Sequence, residues 1–214
     1  MLNNQPISSI TVQNLRQNLS QNLNSNCTFG PNILPMAKVY FSTGSNEGDR
    51  LNSLVETAKL IEKQIGTIID LSPVVESEPM GFVAETNFYN QVLLVETKLS
   101  PQQIIKTLLE IELKLGRVRS GKSYSSRSID IDILFYDEIQ VADDNLIIPH
   151  PRLHERNFVL QPLMAIAPGL IHPVLKKTVS ELSSQSADSS VITAVVAKNE
   201  FKEYMNTITA LNKG

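Results

Sequence analysis

Between residues 37 and 136 the chain switches repeatedly between the apolar spacing of strands and that of helices, and this order limits the fold more than any other feature. Apolar residues from Leu51 to Ile65 recur at helical spacing, and Ser100-Pro101-Gln102-Gln103 is a capped start for a second helix that should end at Gly116. Strands are predicted at 37–43, 67–76, 89–97 and 128–136. The β-α-β-β-α-β order predicts an α+β, ferredoxin-like fold, with an antiparallel sheet, two helices on one face and extra C-terminal helices.

The segments outside this core differ from it in composition. Residues 1–35 contain twelve Asn or Gln and one charged residue, so we expect an N-terminal extension without a catalytic role. Residues 36–182 are the expected main domain, the part of the chain that would hold any catalytic site, with a helix near 154–166. Residues 183–214 are expected to form a Ser-rich linker, at 183–190, and a last amphipathic helix.

The composition excludes several classes of protein. With 214 residues, of which 42% are hydrophobic and 19% charged, the chain suits one globular domain with tails. A net charge of −3 gives no reason to expect nucleic-acid binding, and no apolar run approaches the ~20 residues of a membrane span. The single cysteine cannot form an internal disulfide, and the N-terminus lacks a secretory pattern. We therefore expect a cytoplasmic protein without nucleic-acid or membrane partners.

The most distinctive local feature is the alternation of isoleucine and aspartate in the strand 128–136. Residues two apart point to the same side of a strand, so Asp130 and Asp132 present adjacent carboxylates on one face. Two such carboxylates repel each other unless a cation or a proton lies between them, and Mg²⁺ suits the pair. The alternative is a solvent-facing strand with alternating charge.

The loop before this strand, residues 117–127, carries four positive charges and no negative one. Beside a metal-binding carboxylate pair, its guanidinium groups would bind phosphate oxygens, and its Gly and Ser residues would let it move as a lid. The alternative is a solvated basic loop. The stretch from Gly116 to Ser123 has the spacing of a phosphate-binding P-loop, but a helix precedes it and a strand follows, which is the wrong context.

Other candidate residues are less specific. Glu112 ends the second helix and is either a plain exposed acid or a functional one. His150 lies between two prolines and could donate a hydrogen bond to a phosphate. The whole chain has three histidines and one cysteine, which argues against a zinc site. Phe88 and Phe158 could enclose a flat heterocycle or simply pack in the core, and Asn90 could pair with the polar edge of such a ring.

Taken in order, these segments resemble the hydroxymethyldihydropterin pyrophosphokinase family of the folate pathway. The resemblance extends from Lys38 to His172, and its most specific parts are the last two of the following segments: Gly44-Ser45-Asn46, Glu78-Pro79-Met80-Gly81, Phe88-Tyr89-Asn90, Glu112, Gly116-Arg117-Val118-Arg119, Arg127-Ser128-Ile129-Asp130-Ile131-Asp132-Ile133-Leu134 and Pro149-His150-Pro151-Arg152-Leu153-His154-Glu155-Arg156.

The resemblance implies transfer of the β,γ-diphosphate of ATP to the 6-hydroxymethyl group of 7,8-dihydropterin, with release of AMP. It implies two Mg²⁺ ions at Asp130 and Asp132, and other folate-pathway enzymes as partners. The implied catalytic residues are Arg117, Arg127, Asp130 and Asp132. The implied ATP-binding residues are Leu109, Glu112, Arg119, Tyr124, Ile133, His150 and Arg156. The implied pterin-binding residues are Ser77, Glu78, Met80, Phe88, Asn90 and Phe158.

The chain departs from the family pattern in the basic loop. Many members carry Trp-Gly-Pro where this chain has Tyr124-Ser125-Ser126, so we expect a less rigid lid.

Two alternative functions remain open: a regulatory nucleotide-binding module without turnover, and a phosphoryl-transfer enzyme that acts on a different heterocyclic alcohol.

Overall fold

A six-stranded antiparallel sheet organises the computed structural model, which describes residues 36–117 and 126–211. Its strands are β1 (Ala37–Ser45), β2 (Gly66–Leu71), β3 (Val74–Ser77), β4 (Phe88–Thr97), β5 (Asp130–Tyr136) and β8 (Thr193–Val196). The order is β5-β1-β4-β3-β8, and β2 also pairs with β4. β6 (Val141–Asp143) and β7 (Leu146–Ile148) form a separate hairpin. The antiparallel α+β architecture predicted from the sequence is confirmed.

Helices cover both faces of this sheet. They are α1 (Arg50–Gln64), α2 (Pro101–Lys114), α3 (Asn157–Ile166), α4 (Val179–Gln185) and α5 (Lys198–Leu211). Buried side chains of α1, α2 and α5 share one core with Leu93, whereas those of α3 and α4 share a second core with Val92. Successive strand residues point to opposite faces, so the two cores lie on opposite sides of β4. No helix in the described ranges is long and apolar enough to cross a membrane.

The strand predicted at 67–76 is divided into two strands, β2 and β3. Pro73 interrupts the predicted strand, and β2 and β3 each pair with β4 on either side of it. Gly66 is the first residue of β2. A Cβ at Gly66 would lie 2.1 Å from the Glu96 carbonyl oxygen, so the close approach of β2 to β4 requires glycine there.

The C-terminal third differs more from the sequence prediction. The helix expected near 154–166 begins at Asn157, because Leu153–Glu155 is a 3₁₀ turn and Arg156 is extended. The stretch 183–190, expected as a linker, contains the end of α4 and a segment hydrogen-bonded to Asn157. The division of the chain into three parts stays a prediction.

His172 gives the fold a testable dependence on pH. Its Nδ1 accepts hydrogen bonds from the amides of Val174 and Leu175, both at 3.2 Å, and its ring packs edge-on against Phe135. Burial and the nearby His154 lower the pKa of His172 to about 4. The ordinary histidine pKa is ~6.5, so between these values the unfolded chain binds more protons than the folded one. Stability is therefore lost as the pH falls from about 6.5 towards 4.

We expect His172→Asn to flatten this dependence, because asparagine can accept the same amide hydrogen bonds without binding a proton. The predicted difference between the two proteins is on the order of 1–2 kcal/mol across pH 6.5 to 4.5. Urea unfolding at several pH values measures it. Parallel pH profiles for the two proteins would contradict the assignment. Other titrating groups act in both proteins and cancel.

Candidate active site

The sheet register places the aspartate pair of β5 beside small residues of β1. Ser42 lies opposite Asp132, and Gly44 lies opposite Asp130 on one side and Asn90 on the other. Because paired residues point to the same face, these five line a single patch of the sheet. Side chains from β3, the loop 78–87, Arg127 and the start of α3 rise around it to form a pocket.

Ten residues predicted from the sequence line this one pocket: Ser77, Glu78, Met80, Phe88, Asn90, Arg127, Asp130, Asp132, Arg156 and Phe158. Five others do not line it: Leu109, Glu112, Arg117, Ile133 and His150. Arg119 and Tyr124 lie outside the described residues. Ser42, Gly44 and Phe82 line the pocket without having been predicted. Ser42 and Gly44 are two residues apart, and this spacing could have indicated that they lie on the same face of β1.

Asp130 is held between two guanidinium groups. Arg117 Nη1 lies 2.6 Å from one carboxylate oxygen, and Arg127 donates to the other. Gly116 makes the first contact possible, since its φ of +84° ends α2 and turns the chain back. The Arg117 amide then donates to the Glu112 carbonyl at 3.0 Å, which brings the arginine beside β5.

Glu112 is a buried structural partner of this arrangement. Only 3% of it is exposed, whereas the sequence allowed a plain exposed acid. Its Oε1 accepts hydrogen bonds from Arg117 and from the Ile131 amide, the latter at 3.0 Å. Glu112 therefore ties the end of α2 to β5 between the two aspartates.

Asp132 lies in a very different environment from its neighbour. Its side chain is 40% exposed and lines the pocket. Burial and the charge of Asp130 raise the pKa of Asp132 to about 7, against the opposing effect of Arg156. Ionisation of both adjacent carboxylates is therefore energetically unfavourable in the folded protein. A cation bound between them would remove this electrostatic repulsion.

His150 faces Asp132 as a neutral imidazole. Burial, followed by the charge of Arg156, lowers the pKa of His150 to about 4. The Arg152 amide donates to its Nδ1 at 3.2 Å, so the proton of the neutral ring is on Nε2. Nε2 lies 3.8 Å from the Asp132 carboxylate, which is too far for a hydrogen bond. His150 can therefore donate to an anion that enters beside Asp132.

Asn46 joins the segments that border the pocket. Its Oδ1 accepts from the Arg127 amide at 2.7 Å, and its Nδ2 donates to the Thr86 carbonyl at 3.4 Å and to the Ser126 hydroxyl at 3.2 Å. The end of β1, the loop 78–87 and Arg127 are thereby fixed to one buried side chain. The sequence contained Asn46 within a matched segment but indicated no role for it.

Part of the pocket wall is aromatic and amide-lined. Phe82 and Phe88 meet edge to face at 6.1 Å, and the Arg156 guanidinium lies 5.6 Å from the centre of the Phe158 ring. Asn90 is buried, and its Nδ2 donates to the Ser77 hydroxyl at 2.9 Å. These groups can bind a flat ring that carries polar atoms on one edge.

The carboxylate pair fits Mg²⁺ better than a metal held by protein alone. Among the residues that the structure describes, no cluster of three or more His, Cys, Asp or Glu could hold a metal ion. Two hard oxygen ligands beside arginines match the usual way of binding Mg²⁺, in which waters and phosphate oxygens complete the coordination. The pocket thus combines groups suited to bind an anion and a metal ion with groups suited to bind a flat ring.

Comparison with known proteins gives the same assignment along most of the chain. A family model described as 7,8-dihydro-6-hydroxymethylpterin-pyrophosphokinase (HPPK) matches residues 40–168. The 2-amino-4-hydroxy-6-hydroxymethyldihydropteridine pyrophosphokinase of Aquifex aeolicus is 36% identical over 151 residues, which cover 71% of this chain and 93% of that protein. The folic acid synthesis protein FOL1 of Dictyostelium discoideum is 38% identical over 159 residues, 74% of this chain.

A solved structure supports the fold. The Plasmodium falciparum HPPK-DHPS A437G structure has a TM-score of 0.60 at 17% identity, over 72% of this chain. The chain spans 46% of that protein and 23% of the Dictyostelium protein, so both are much longer. The match over more than half of this chain, together with the near-complete coverage of the Aquifex protein, shows that the chain belongs to the HPPK family.

Proposed function

We propose that the chain transfers the β,γ-diphosphate of ATP to the hydroxyl of 6-hydroxymethyl-7,8-dihydropterin and forms AMP and the pterin diphosphate. The observation that carries the proposal is one pocket that is lined both by the aspartate pair with Arg127 and by Phe88, Phe158 and Asn90. A reaction that joins a phosphate chain to a flat heterocycle needs both sets of groups in a single cavity.

The protein's own residues would act mainly by positioning and charge. Arg127 and Arg156 would bind phosphate oxygens, and neutral His150 would donate to one through Nε2. Phe88 and Phe158 would hold the pterin ring while Asn90 reads its polar edge, which orients the hydroxymethyl oxygen towards the β-phosphorus. Displacement at that phosphorus forms the new P–O bond, breaks the bond to the bridging oxygen of the α-phosphate, which leaves with AMP, and releases the hydroxyl proton.

Asp130 and Asp132 would hold Mg²⁺, and two ions are part of the proposal. Bound Mg²⁺ neutralises phosphate charge and stabilises the charge that develops in the transition state. Arg119 and Tyr124 are proposed to contact ATP from the basic loop, as are Leu109 and Glu112 from α2 and Ile133 from β5. Leu109 is 40% exposed and Ile133 is buried in the core.

The decisive experiment mixes the protein, ATP, Mg²⁺ and hydroxymethyldihydropterin, and follows AMP and the pterin product. We expect AMP and pterin diphosphate in equal amounts, and none without the pterin. Formation of ADP instead would indicate transfer of a single phosphoryl group. No product from folded protein that binds both ligands would favour a regulatory module. Other folate-pathway enzymes are the proposed partners, and a cytoplasmic location stays a prediction from the sequence.

Gly44 offers a specific test of the proposed contact between Asn90 and the pterin. A Cβ at this position would lie 2.9 Å from Asn90 Oδ1, so Gly44→Ala must displace the amide that is proposed to read the pterin. We expect the KM for the pterin to rise about tenfold, ~1.4 kcal/mol of lost binding, with a smaller change in the KM for ATP.

Gly169→Ala is the matched control, because a Cβ there meets nothing within 4 Å. It should leave both KM values unchanged. Equal effects of the two substitutions on the pterin KM would argue against a pterin contact at Asn90. Steady-state rates at varied pterin and ATP concentrations measure both constants.

A further inference from the structure

The first turn of α3 carries two residues of the pocket but lacks a cap of its own. Arg156 is the residue before the helix and Phe158 is its second residue. The Arg156 carbonyl accepts from the amides of Val159 and Leu160, at 3.1 and 2.9 Å, but no Arg156 side-chain atom caps the helix. The first amides of a helix have no partner within it, so the Asn157 amide needs an acceptor from elsewhere.

Asp188, 31 residues further along the chain, supplies that acceptor. The Asn157 amide donates to Asp188 Oδ2 at 2.7 Å, and the Asn157 side-chain amide donates to the Asp188 carbonyl. The other carboxylate oxygen, Oδ1, accepts from the Ser190 amide at 2.9 Å, and the Asp188 amide donates to the Ser186 hydroxyl at 3.2 Å. The carboxylate is thus fixed on its own side while it holds the start of α3.

The charge of Asp188 suits this position. Partial burial acts in the opposite direction, but the hydrogen bonds from Asn157 and Ser190 lower the pKa of Asp188 below its ordinary value. The group is therefore a carboxylate at neutral pH, next to the positive end of a helix, where a negative charge is stabilising.

We propose that Asp188 is a positioning residue for substrate binding. It fixes the first turn of α3, and through that turn it holds Arg156 and Phe158 in the orientation that lines the pocket. The inference rests on the proposed function, since Phe158 is there assigned to the pterin and Arg156 to ATP.

The rest of α3 does not depend on this contact. Val159, Leu160 and Leu163 are buried in the second core, and Gln161 donates to the Ser183 hydroxyl of α4 at 3.3 Å. Loss of the cap should therefore loosen the first turn, which borders the pocket, while the helix stays in place. Its effect should be greater on substrate binding than on the fold.

The test compares Asp188→Ala with Asp188→Asn and with Thr178→Ala. Asparagine keeps an oxygen that can accept from the Asn157 amide. Thr178 caps α4 in the ordinary way, with its hydroxyl accepting from the Glu181 amide at 3.1 Å, and Thr178→Ala thus removes a helix cap away from the pocket. The KM values for pterin and ATP, kcat and Tm are measured for each variant and for the wild type.

We expect D188A to raise the pterin KM about tenfold, equivalent to ~1.4 kcal/mol, with kcat changed about threefold at most. D188N should stay within about threefold of the wild-type KM. T178A should lower Tm without changing either KM. Should D188A not fold, Asp188→Ser, which keeps a shorter acceptor, is expected to raise the pterin KM by a factor between those of D188N and D188A.

Three results would overturn the inference. They are a pterin KM in D188A equal to that of the wild type, a rise of the pterin KM in T178A as large as in D188A, and a rise of the pterin KM in D188N as large as in D188A. A wild-type protein that forms no AMP would overturn the proposed function instead. In that case calorimetric titration of hydroxymethyldihydropterin and of Mg²⁺-ATP into the same variants decides the role of Asp188. The Kd for the pterin should then change by the same factors as those expected for its KM.

Discussion

Replacing Asp132 by asparagine is expected to lower kcat for AMP formation by about 1000-fold, a typical loss when charge stabilisation at a reacting phosphate is removed. The substitution keeps the shape of the side chain but removes the negative charge that is proposed to hold Mg²⁺. Asp130 alone should not compensate, because the ion would lose one of its two proposed carboxylate ligands and the remaining one also interacts with Arg117 and Arg127.

The same substitution should leave the fold as stable as before or more stable. Burial and repulsion from Asp130 raise the pKa of Asp132 to about 7, so its ionised form is unfavourable in the folded protein. A neutral amide removes that repulsion. Opposite changes in activity and in Tm distinguish a functional carboxylate from one that supports the structure.

Asp137→Asn is the matched control. Asp137 follows β5, is exposed, and accepts from the Lys38 amide at 2.8 Å, an interaction that asparagine can keep. It should leave kcat and Tm unchanged. AMP release and thermal unfolding are measured for all three proteins. A D132N enzyme with near-normal kcat at saturating Mg²⁺ would contradict the metal assignment.

Much of the pocket could be predicted because its residues lie in regular patterns. The alternation of Ile and Asp in β5 placed two carboxylates on one face, and the structure has Ile131 and Ile133 buried while both aspartates border the pocket. The strand and helix order was also readable, because each segment carries its own periodicity. Local patterns were therefore enough for the sheet and for the carboxylate pair of the site.

The parts that could not be predicted depend on contacts between distant segments. A Ser-rich stretch is typical of a linker, and nothing near Asp188 indicates that it caps a helix 31 residues earlier. The burial of Glu112 depends on the turn at Gly116 that brings Arg117 back against α2. Phe82 reaches the pocket through the path of the loop 78–87, which has no periodicity from which to predict it.

Glu112→Ala is expected to cause the largest loss of stability among the substitutions considered. Removing this buried carboxylate leaves the Ile131 amide without that acceptor and breaks the ion pair with Arg117, for about 3 kcal/mol in the free energy of unfolding. In a chain of this size that corresponds to a fall in Tm of roughly 6–12 °C. Activity should fall as well, because Arg117 also contacts Asp130.

Glu110→Ala is the control on the same helix. Glu110 is exposed, so the same chemical change should alter the free energy of unfolding by about 0.5 kcal/mol or less. Urea unfolding of both variants gives the comparison. Equal stability of E112A and E110A would show that the buried carboxylate contributes nothing beyond helix propensity.

Glu112→Gln separates the two contacts of the carboxylate. Glutamine keeps an oxygen for the Ile131 amide but has no charge for Arg117, so stability should fall between those of the wild type and E112A. Arg117 then turns to Asp130 with less competition, and that carboxylate becomes less available to a cation. We therefore expect E112Q to need about tenfold more Mg²⁺ for half-maximal activity, ~1.4 kcal/mol, at a stability between those of the wild type and E112A. An unchanged Mg²⁺ requirement would show that Arg117 does not link Glu112 to the aspartate pair.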